Sequence, residues 1–209
     1  MNTAAPSAAV EAHLHRDDTG SKIGMWLFLF TELILFGGLF IVYAVYRFKH
    51  PQEFQLGAKE LDTFVGTVNT LILLTSSLTV ALAIAAIQEG RKHLSMMLIG
   101  LTIVLAFAFL VNKYFEWGHK FSIGLFPRSP EMLDLPQGEI LYFGLYFTMT
   151  GLHALHVIVG MVVLTFSLIG IGKGSITRDS FVRLEMGGLY WHLVDIIWIF
   201  LFPLFYLLH

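Results

Sequence analysis

Five long apolar blocks, separated by short polar stretches, dominate the pattern of this chain. The blocks cover residues 23–46, 64–87, 94–115, 140–171 and 186–208. Each has the roughly 20 successive and mostly apolar residues that a helix needs to cross the hydrocarbon core of a membrane. A transmembrane β-barrel would instead show short segments of alternating polarity. The pattern therefore predicts an all-α integral membrane protein, a bundle of five transmembrane helices.

The polar stretches predict where these helices end. Pro51 follows the first block, and proline cannot continue a helix. The fourth block is longer than a perpendicular span requires, which predicts a tilt or an extension beyond the lipid. Residues 116–138 are rich in glycine, proline and charge and predict a loop. Residues 1–20 are polar, lack the layout of a signal peptide, and predict a flexible tail before a transmembrane domain at 21–209.

Composition and charge narrow the classes of function. Hydrophobic residues make up 56% of the chain and charged residues 13%, about half the usual charged share. The net charge of −2 indicates no general attraction to nucleic acid. The absence of cysteine excludes disulfides, thiolate metal sites and thiol nucleophiles. No phosphate-binding loop, nucleophile elbow or dinucleotide fingerprint is present.

The basic residues favour one orientation slightly. With five spans, the N-terminal tail shares its side with the second and fourth loops, and this side carries seven basic residues against six on the other. The seven are Arg16, Lys22, Arg91, Lys92, Lys173, Arg178 and Arg183, and the six are Arg47, Lys49, Lys59, Lys113, Lys120 and Arg128. The positive-inside rule then predicts an N-terminus in the cytoplasm.

One carboxylate lies well inside the first apolar block. Glu32 is about nine residues into this block and is flanked by Phe30, Leu33 and Phe36. Ionisable groups inside membrane spans are costly, so this carboxylate must accept a hydrogen bond or hold a proton. A group that handles protons and an acid bonded between two helices are both compatible with this position.

The fourth and fifth blocks each contain a pair of ionisable residues three positions apart. His153 and His156 share one face of the fourth predicted helix, and His192 and Asp195 share one face of the fifth. Asp195 could accept a hydrogen bond from His192. Together with Glu116, which closes the third block near the predicted interface, these residues could form a metal site of histidines and a carboxylate. Hydrogen bonding between helices is the favoured interpretation.

Six stretches of the chain resemble characteristic stretches of one known family, cytochrome c oxidase subunit III. They are KIGMWLFLFTELILFGGLF (22–40), NTLILLTSS (69–77), EGRKHL (89–94), KYFEW (113–117), YFTMTGLHALHVIVG (146–160) and LYWHLVDIIWIFLF (189–202). The last two resemble the most recognisable motifs of the family, in the same order and spacing. The resemblance covers residues 21–209. It implies the short bacterial form of the family, which has five helices. The long form has two additional helices, and the lipid sites that those helices form cannot be carried over to this chain.

The resemblance also implies an accessory role in a respiratory haem-copper oxidase of the bacterial inner membrane. In this family haem and copper belong to subunits I and II, so neither a catalytic residue nor a metal site is expected in this chain. Subunit III packs against subunit I, supports proton uptake and protects the active site from inactivation. Glu32 matches the buried carboxylate of the family and is expected to support proton uptake. The expected structural polar network consists of Glu116, His153, His156, His192 and Asp195.

The resemblance implies further partners and leaves alternatives open. Subunit II, other subunits and membrane lipids are expected partners, a bound phospholipid is possible, and nucleic acid is not expected.

The stretches at 47–70 and 189–208 also look like subunit-III-like proteins of nitric oxide reductase systems, and a quinol oxidase subunit III is a further variant. Outside this family, a membrane metalloenzyme or a small channel would use the same ionisable residues. The lack of internal repeats disfavours the channel.

Overall fold

The protein is a bundle of long helices. The computed structural model describes the backbone of residues 8–127 and 129–208, and the side chains of this part from Thr19 onward. The helices are α1 (Ala8–Lys49), α2 (Pro51–Lys59), α3 (Thr63–Gln88), α4 (Lys92–Ser122), α5 (Pro130–Leu133), α6 (Gln137–Lys173) and α7 (Val182–Tyr206). Five of them, α1, α3, α4, α6 and α7, are long and apolar enough to cross a membrane. The prediction of an all-α bundle with five spanning helices is confirmed.

Four of the spanning helices form the centre of the bundle. Helices α3, α4, α6 and α7 stand at the corners of a square, in that cyclic order, and α1 packs outside them against α6 and α7. We call side A the side on which α1, α4 and α7 begin, and side B the opposite side. The short helix α2 lies on side B and packs against α6. Each ionisable residue inside the bundle can be placed relative to these two sides.

Local signals in the sequence set the helix ends. The side chain of Asp62 caps α3 by accepting hydrogen bonds from the backbone N–H groups of Phe64 and Val65. Gly90 and Gly174 follow α3 and α6 with φ angles of 79° and 77°, a left-handed conformation that favours glycine. Both chain reversals on side A therefore depend on a glycine at the end of a helix.

Two helices are longer than the hydropathy pattern predicts. Helix α4 ends at Ser122, so residues 116–122 are helical and the loop prediction for them is wrong. Charge ended the apolar block at Phe115, but the helix continues through Gly118, no proline occurs between Phe115 and Gly124, and the first left-handed glycine is Gly124, with a φ of 77°. Helix α1 begins at Ala8, within the predicted tail, of which residues 1–7 lie outside the described residues. The division into tail and domain stays a prediction.

Hydrogen bonds from two tryptophans link α7 to α3 in the bundle centre. Trp191 Nε1 donates to Ser76 Oγ at 3.1 Å, and Trp198 Nε1 donates to Thr70 Oγ1 at 3.0 Å. Both indole rings are fully buried. Because the apolar parts of the rings fill the core while their N–H groups find acceptors, this seam combines packing with satisfied polar groups.

Replacing Gly160 with alanine should destabilise the contact between α6 and α7. A Cβ atom at this position would lie 2.7 and 2.8 Å from ring atoms of Trp191, which cannot move within the core. Overpacking of this kind costs about 1–3 kcal/mol and should lower the thermal unfolding midpoint in mild detergent by roughly 2–12 °C. Gly100→Ala on α4 is the matched control, since nothing lies within 4 Å of its Cβ position. Equal midpoints for the two variants would contradict this packing.

Candidate functional site

An acidic and a basic side chain meet between α1 and α6. Glu32 lies close to the middle of the spanning part of α1, Thr19–Lys49. Counted from Ile23, where the apolar block begins, its position had indicated a place nearer to the start of the helix. Its Oε2 atom is 2.8 Å from His156 Nε2, and the two side chains are 14% and 12% exposed. Phe36 packs with its ring edge against the imidazole of His156. The first apolar block and the fourth thus contribute one residue each to a pair inside the bundle.

The backbone around His156 limits how this pair can hold protons. His156 Nδ1 lies 2.8 Å from the carbonyl oxygen of Leu152, and because a carbonyl only accepts, Nδ1 must carry a hydrogen. One further proton is then shared between Nε2 and the carboxyl group of Glu32. This proton can reside on either partner without changing the net charge of the pair. The geometry accommodates one shared proton between α1 and α6, near the middle of both helices.

A second cluster of ionisable groups lies toward side B, around Lys113 and Glu116. Lys113 Nζ is 3.2 Å from Glu116 Oε2, and the two side chains are only 5% and 7% exposed. Lys113 also donates to the hydroxyl groups of Tyr146 and Tyr206, and both tyrosines donate to Glu116 Oε1. The rings of Tyr146, Trp198 and Tyr206 have their centroids 5.0–5.1 Å from Nζ. These contacts connect α4 to α6 and α7.

Glu116 lies inside the bundle, although its place at the end of the third apolar block had put it near the predicted interface. Helix α4 continues past this residue, and the carboxylate faces the bundle instead of the loop. Sequence reasoning also missed Lys113, which it counted as a loop charge. The spacing of three residues between Lys113 and Glu116 was the available signal, since it places opposite charges on one helix face. A cavity of about 400 Å³, lined by Glu116, Asn112 and Lys120 among others, connects the cluster to side B.

His192 and Asp195 do not form the hydrogen bond that their spacing suggested. His192 Nδ1 lies 2.6 Å from Ser77 Oγ on α3, so a hydroxyl of the facing helix is its partner. Asp195 is 2% exposed, and neither of its carboxylate oxygens has a hydrogen-bond partner among the described residues. Ser77 is also the polar neighbour of Asp195. The polar neighbour of both residues is therefore a hydroxyl group of α3, and not the other ionisable residue of α7.

His153 occupies the centre of the bundle and is separate from His156. It is fully buried, and neither ring nitrogen has a hydrogen-bond partner among the described residues. Its ring packs against Phe109 and Trp198, with centroid distances of 5.6 and 5.2 Å. A neutral imidazole is the form that such an environment permits at least cost. Here His153 acts as a packing group between α4, α6 and α7.

The five residues predicted as one polar network thus have separate surroundings. Glu116 belongs to the Lys113 cluster, His156 to the pair with Glu32, and His192 to the seam with α3, while His153 and Asp195 lack hydrogen-bond partners in the described part of the chain. Within residues 19–127 and 129–208, no group of three or more histidine, aspartate or glutamate side chains could hold a metal ion. The histidine and carboxylate metal site considered above is not assembled there.

The fold and the site define an integral membrane protein with five spanning helices and ionisable pairs buried between them. The family model described as "Cytochrome c oxidase subunit III" matches residues 4–209, nearly the whole chain. The chain therefore belongs to the cytochrome c oxidase subunit III family. The resemblance predicted from the six sequence stretches is confirmed, as is the assignment to subunit III of haem-copper oxidases.

Curated relatives cover most of the chain. It is 34% identical over 89% of its length to a "Heme-copper oxidase subunit I+III" of Aeropyrum pernix, and this match spans 22% of that longer protein. It is 30% identical over 94% of its length to a "Cytochrome bo(3) ubiquinol oxidase subunit 3" of Pseudomonas aeruginosa, covering 90% of that protein. A "Cytochrome c oxidase subunit 3" of Synechocystis sp. is 32% identical over 95% of the chain, with 80% of that protein covered.

Proposed function

We propose that this chain is the cofactor-free accessory subunit of a respiratory haem-copper terminal oxidase that reduces oxygen to water. The observation that carries the proposal is the family match over residues 4–209. The relatives are named as cytochrome c oxidase and as ubiquinol oxidase subunits, so the proposal covers both electron donors. Haem and copper reside in the partner subunits, and the chain contributes packing and proton handling.

Direct packing on subunit I is part of the proposal. The relative from Aeropyrum pernix is named as a fusion of subunits I and III, so the two parts occur there in one polypeptide. A fusion is compatible only with parts that can lie in the same membrane region, which supports a direct contact. Subunit II, other subunits and phospholipids complete the proposed surroundings of the chain.

Support of proton uptake is assigned to the pair of Glu32 and His156. These side chains share one exchangeable proton inside the bundle, as the contact of His156 Nδ1 with the Leu152 carbonyl supports. An ionisable group inside the membrane is expensive, and a role in a proton pathway is the usual reason for its presence. The pair holds a proton beside the partner subunit and thereby assists uptake and sustained turnover. Glu116, His153, His192 and Asp195 are proposed to hold the bundle together.

The proposed orientation places side A in the cytoplasm of a bacterial cell, with the protein in the inner membrane. Lys113, which was counted among the basic residues of side B, is 4% exposed, lies within α4 and is paired with Glu116. Without Lys113, side B keeps five basic residues against seven on side A. The positive-inside rule then favours this orientation more strongly than the sequence count did.

Co-purification tests the proposed function. The tagged chain is extracted from its native membrane in mild detergent, and the preparation is analysed for haem spectra, copper and gas consumption. We expect a large partner subunit, haem and copper in stoichiometric amounts, and oxygen consumption. Haem with non-haem iron, no copper and consumption of nitric oxide would instead assign the chain to a nitric oxide reductase system. A colourless chain without partners would contradict both assignments.

A further inference from the structure

His192 has one ring nitrogen that is not fully buried and has no partner among the described residues. The residue lies near the middle of the helix Val182–Tyr206, and its Nδ1 atom is occupied by Ser77. Its Nε2 atom has no partner in the part of the chain that the structure describes, and it is not among the buried atoms without partners. The ring is only half-buried. An imidazole nitrogen is therefore accessible and without a partner among the described residues, at a depth where lipid offers no hydrogen bond.

Exposed threonines of the spanning helices satisfy their hydroxyl groups within their own helix. Thr67, Thr75 and Thr165 each donate to the backbone carbonyl four residues earlier. The imidazole of His192 has no such option, because its one bond to the protein already uses Nδ1. An unsatisfied polar group in hydrocarbon costs free energy, so a group outside this chain is expected to satisfy Nε2.

An apolar groove lies one turn along α7 from His192 and has Ile196 among its lining residues. Ile196 and Ile199 lie one and two turns farther along the same stripe of α7 and are 47% and 43% exposed. Between α7 and α1 a groove of about 210 Å³ is lined by Gly37, Phe40 and Phe200 among others. Nothing lies within 4 Å of a Cβ atom built at Gly37. Small residues beside a groove allow a second helix to approach closely in a membrane.

We propose that the face formed by α3, α7 and α1 binds a membrane helix of the large partner subunit, which offers a hydrogen-bonding side chain to His192 Nε2. This inference rests on the proposed function and adds which face of the chain makes the contact. The opposite side of the helix square, between α4 and α6, carries Phe166 at 70% exposure and is assigned to lipid. Thr165 on that side is already satisfied by the carbonyl of Met161.

Photo-crosslinking in native membranes tests this assignment. A benzoyl-phenylalanine is placed at Ile199 on the proposed face or at Phe166 on the opposite face as a matched exposed control. We expect irradiation to join the chain to the haem-containing subunit from position 199 and not from position 166. A crosslink to that subunit from position 166 alone would overturn the assignment, as would a product joining two copies of this chain, or only lipid adducts, from position 199.

Substitutions at His192 give an independent readout. His192→Leu should reduce the amount of partner that co-purifies by about five- to ten-fold, the equivalent of one interhelical hydrogen bond. His192→Gln can still donate and should retain most of the partner, while Thr165→Val should change nothing. Equal recovery with leucine and glutamine would overturn the role of Nε2. Haem spectra of the unsubstituted preparation separate this failure from a failure of the proposed function, because they detect the partner irrespective of the contacting face.

Discussion

Replacing Lys113 with methionine should lower the thermal unfolding midpoint of the protein in mild detergent by roughly 6–20 °C. The substitution preserves much of the side-chain volume but removes the cation, and it leaves the carboxylate of Glu116 buried without its counter-charge. Breaking a buried ion pair by removing one partner costs about 3–5 kcal/mol, and each kcal/mol corresponds to about 2–4 °C for a chain of this size. The two tyrosines that donate to Glu116 offset only part of this loss.

Two further variants show whether the effect comes from the ion pair. Lys59→Met removes an exposed lysine on the same side of the protein and should change the stability by no more than about 0.5 kcal/mol. The double variant Lys113→Met with Glu116→Gln removes both charges and should recover much of the lost stability, because no unpaired charge remains. A double variant that loses as much as the sum of the two single variants would show that the charges do not interact.

Glu32→Gln should slow proton-limited oxygen consumption of the intact complex by about three- to ten-fold, or about 0.7–1.4 kcal/mol of barrier. A glutamine amide can donate to His156 Nε2 and so preserve the contact between α1 and α6, but it cannot exchange a proton. The effect should be largest at high pH, where free protons are scarcest and a residue that holds one is most useful. Turnover and the number of protons taken up per oxygen are measured in the purified complex reconstituted in vesicles.

A charge control separates proton handling from general electrostatics. Glu89→Gln removes an exposed carboxylate from side A, where its side chain is 65% exposed, and should leave turnover unchanged. If Glu32→Gln has normal turnover, proton stoichiometry and resistance to inactivation, the pair with His156 serves only to hold α1 against α6. In that case the family assignment remains, but the assigned role of Glu32 in proton uptake is lost.

The number of spanning helices could be predicted from sequence because it depends on one property, the length of the apolar blocks. The ends of α1 and α4 were harder, because hydropathy detects where lipid ends and not where backbone hydrogen bonding ends. Helix α4 continues for seven residues past Phe115, since its charged side chains face the bundle or a cavity. The signal that would have extended it was the absence of proline before Gly124, since the single Gly118 is tolerated inside the helix.

The partners of the buried ionisable residues could not be predicted, because they lie on other helices. Glu32 and His156 are 124 positions apart, and nothing in the sequence pairs them. The spacing of His192 and Asp195 suggested a bond within α7, yet the nearest acceptor or donor for His192 was Ser77 on α3. Spacing within a helix restricts which residues share a face, while the packing angles and depths of neighbouring helices decide which of them meet.

The most direct test of the central claim compares the complete complex with a complex from which this chain has been removed. Both preparations are followed for oxygen consumption per haem until activity ceases, and the purified chain is then added back to the depleted complex. We expect the depleted complex to begin turnover with its haem and copper content unchanged, to inactivate several-fold sooner, and to regain its lifetime on re-addition. Loss of haem or copper together with this chain, or an equal lifetime in its absence, would contradict a cofactor-free subunit that supports proton uptake and sustained turnover.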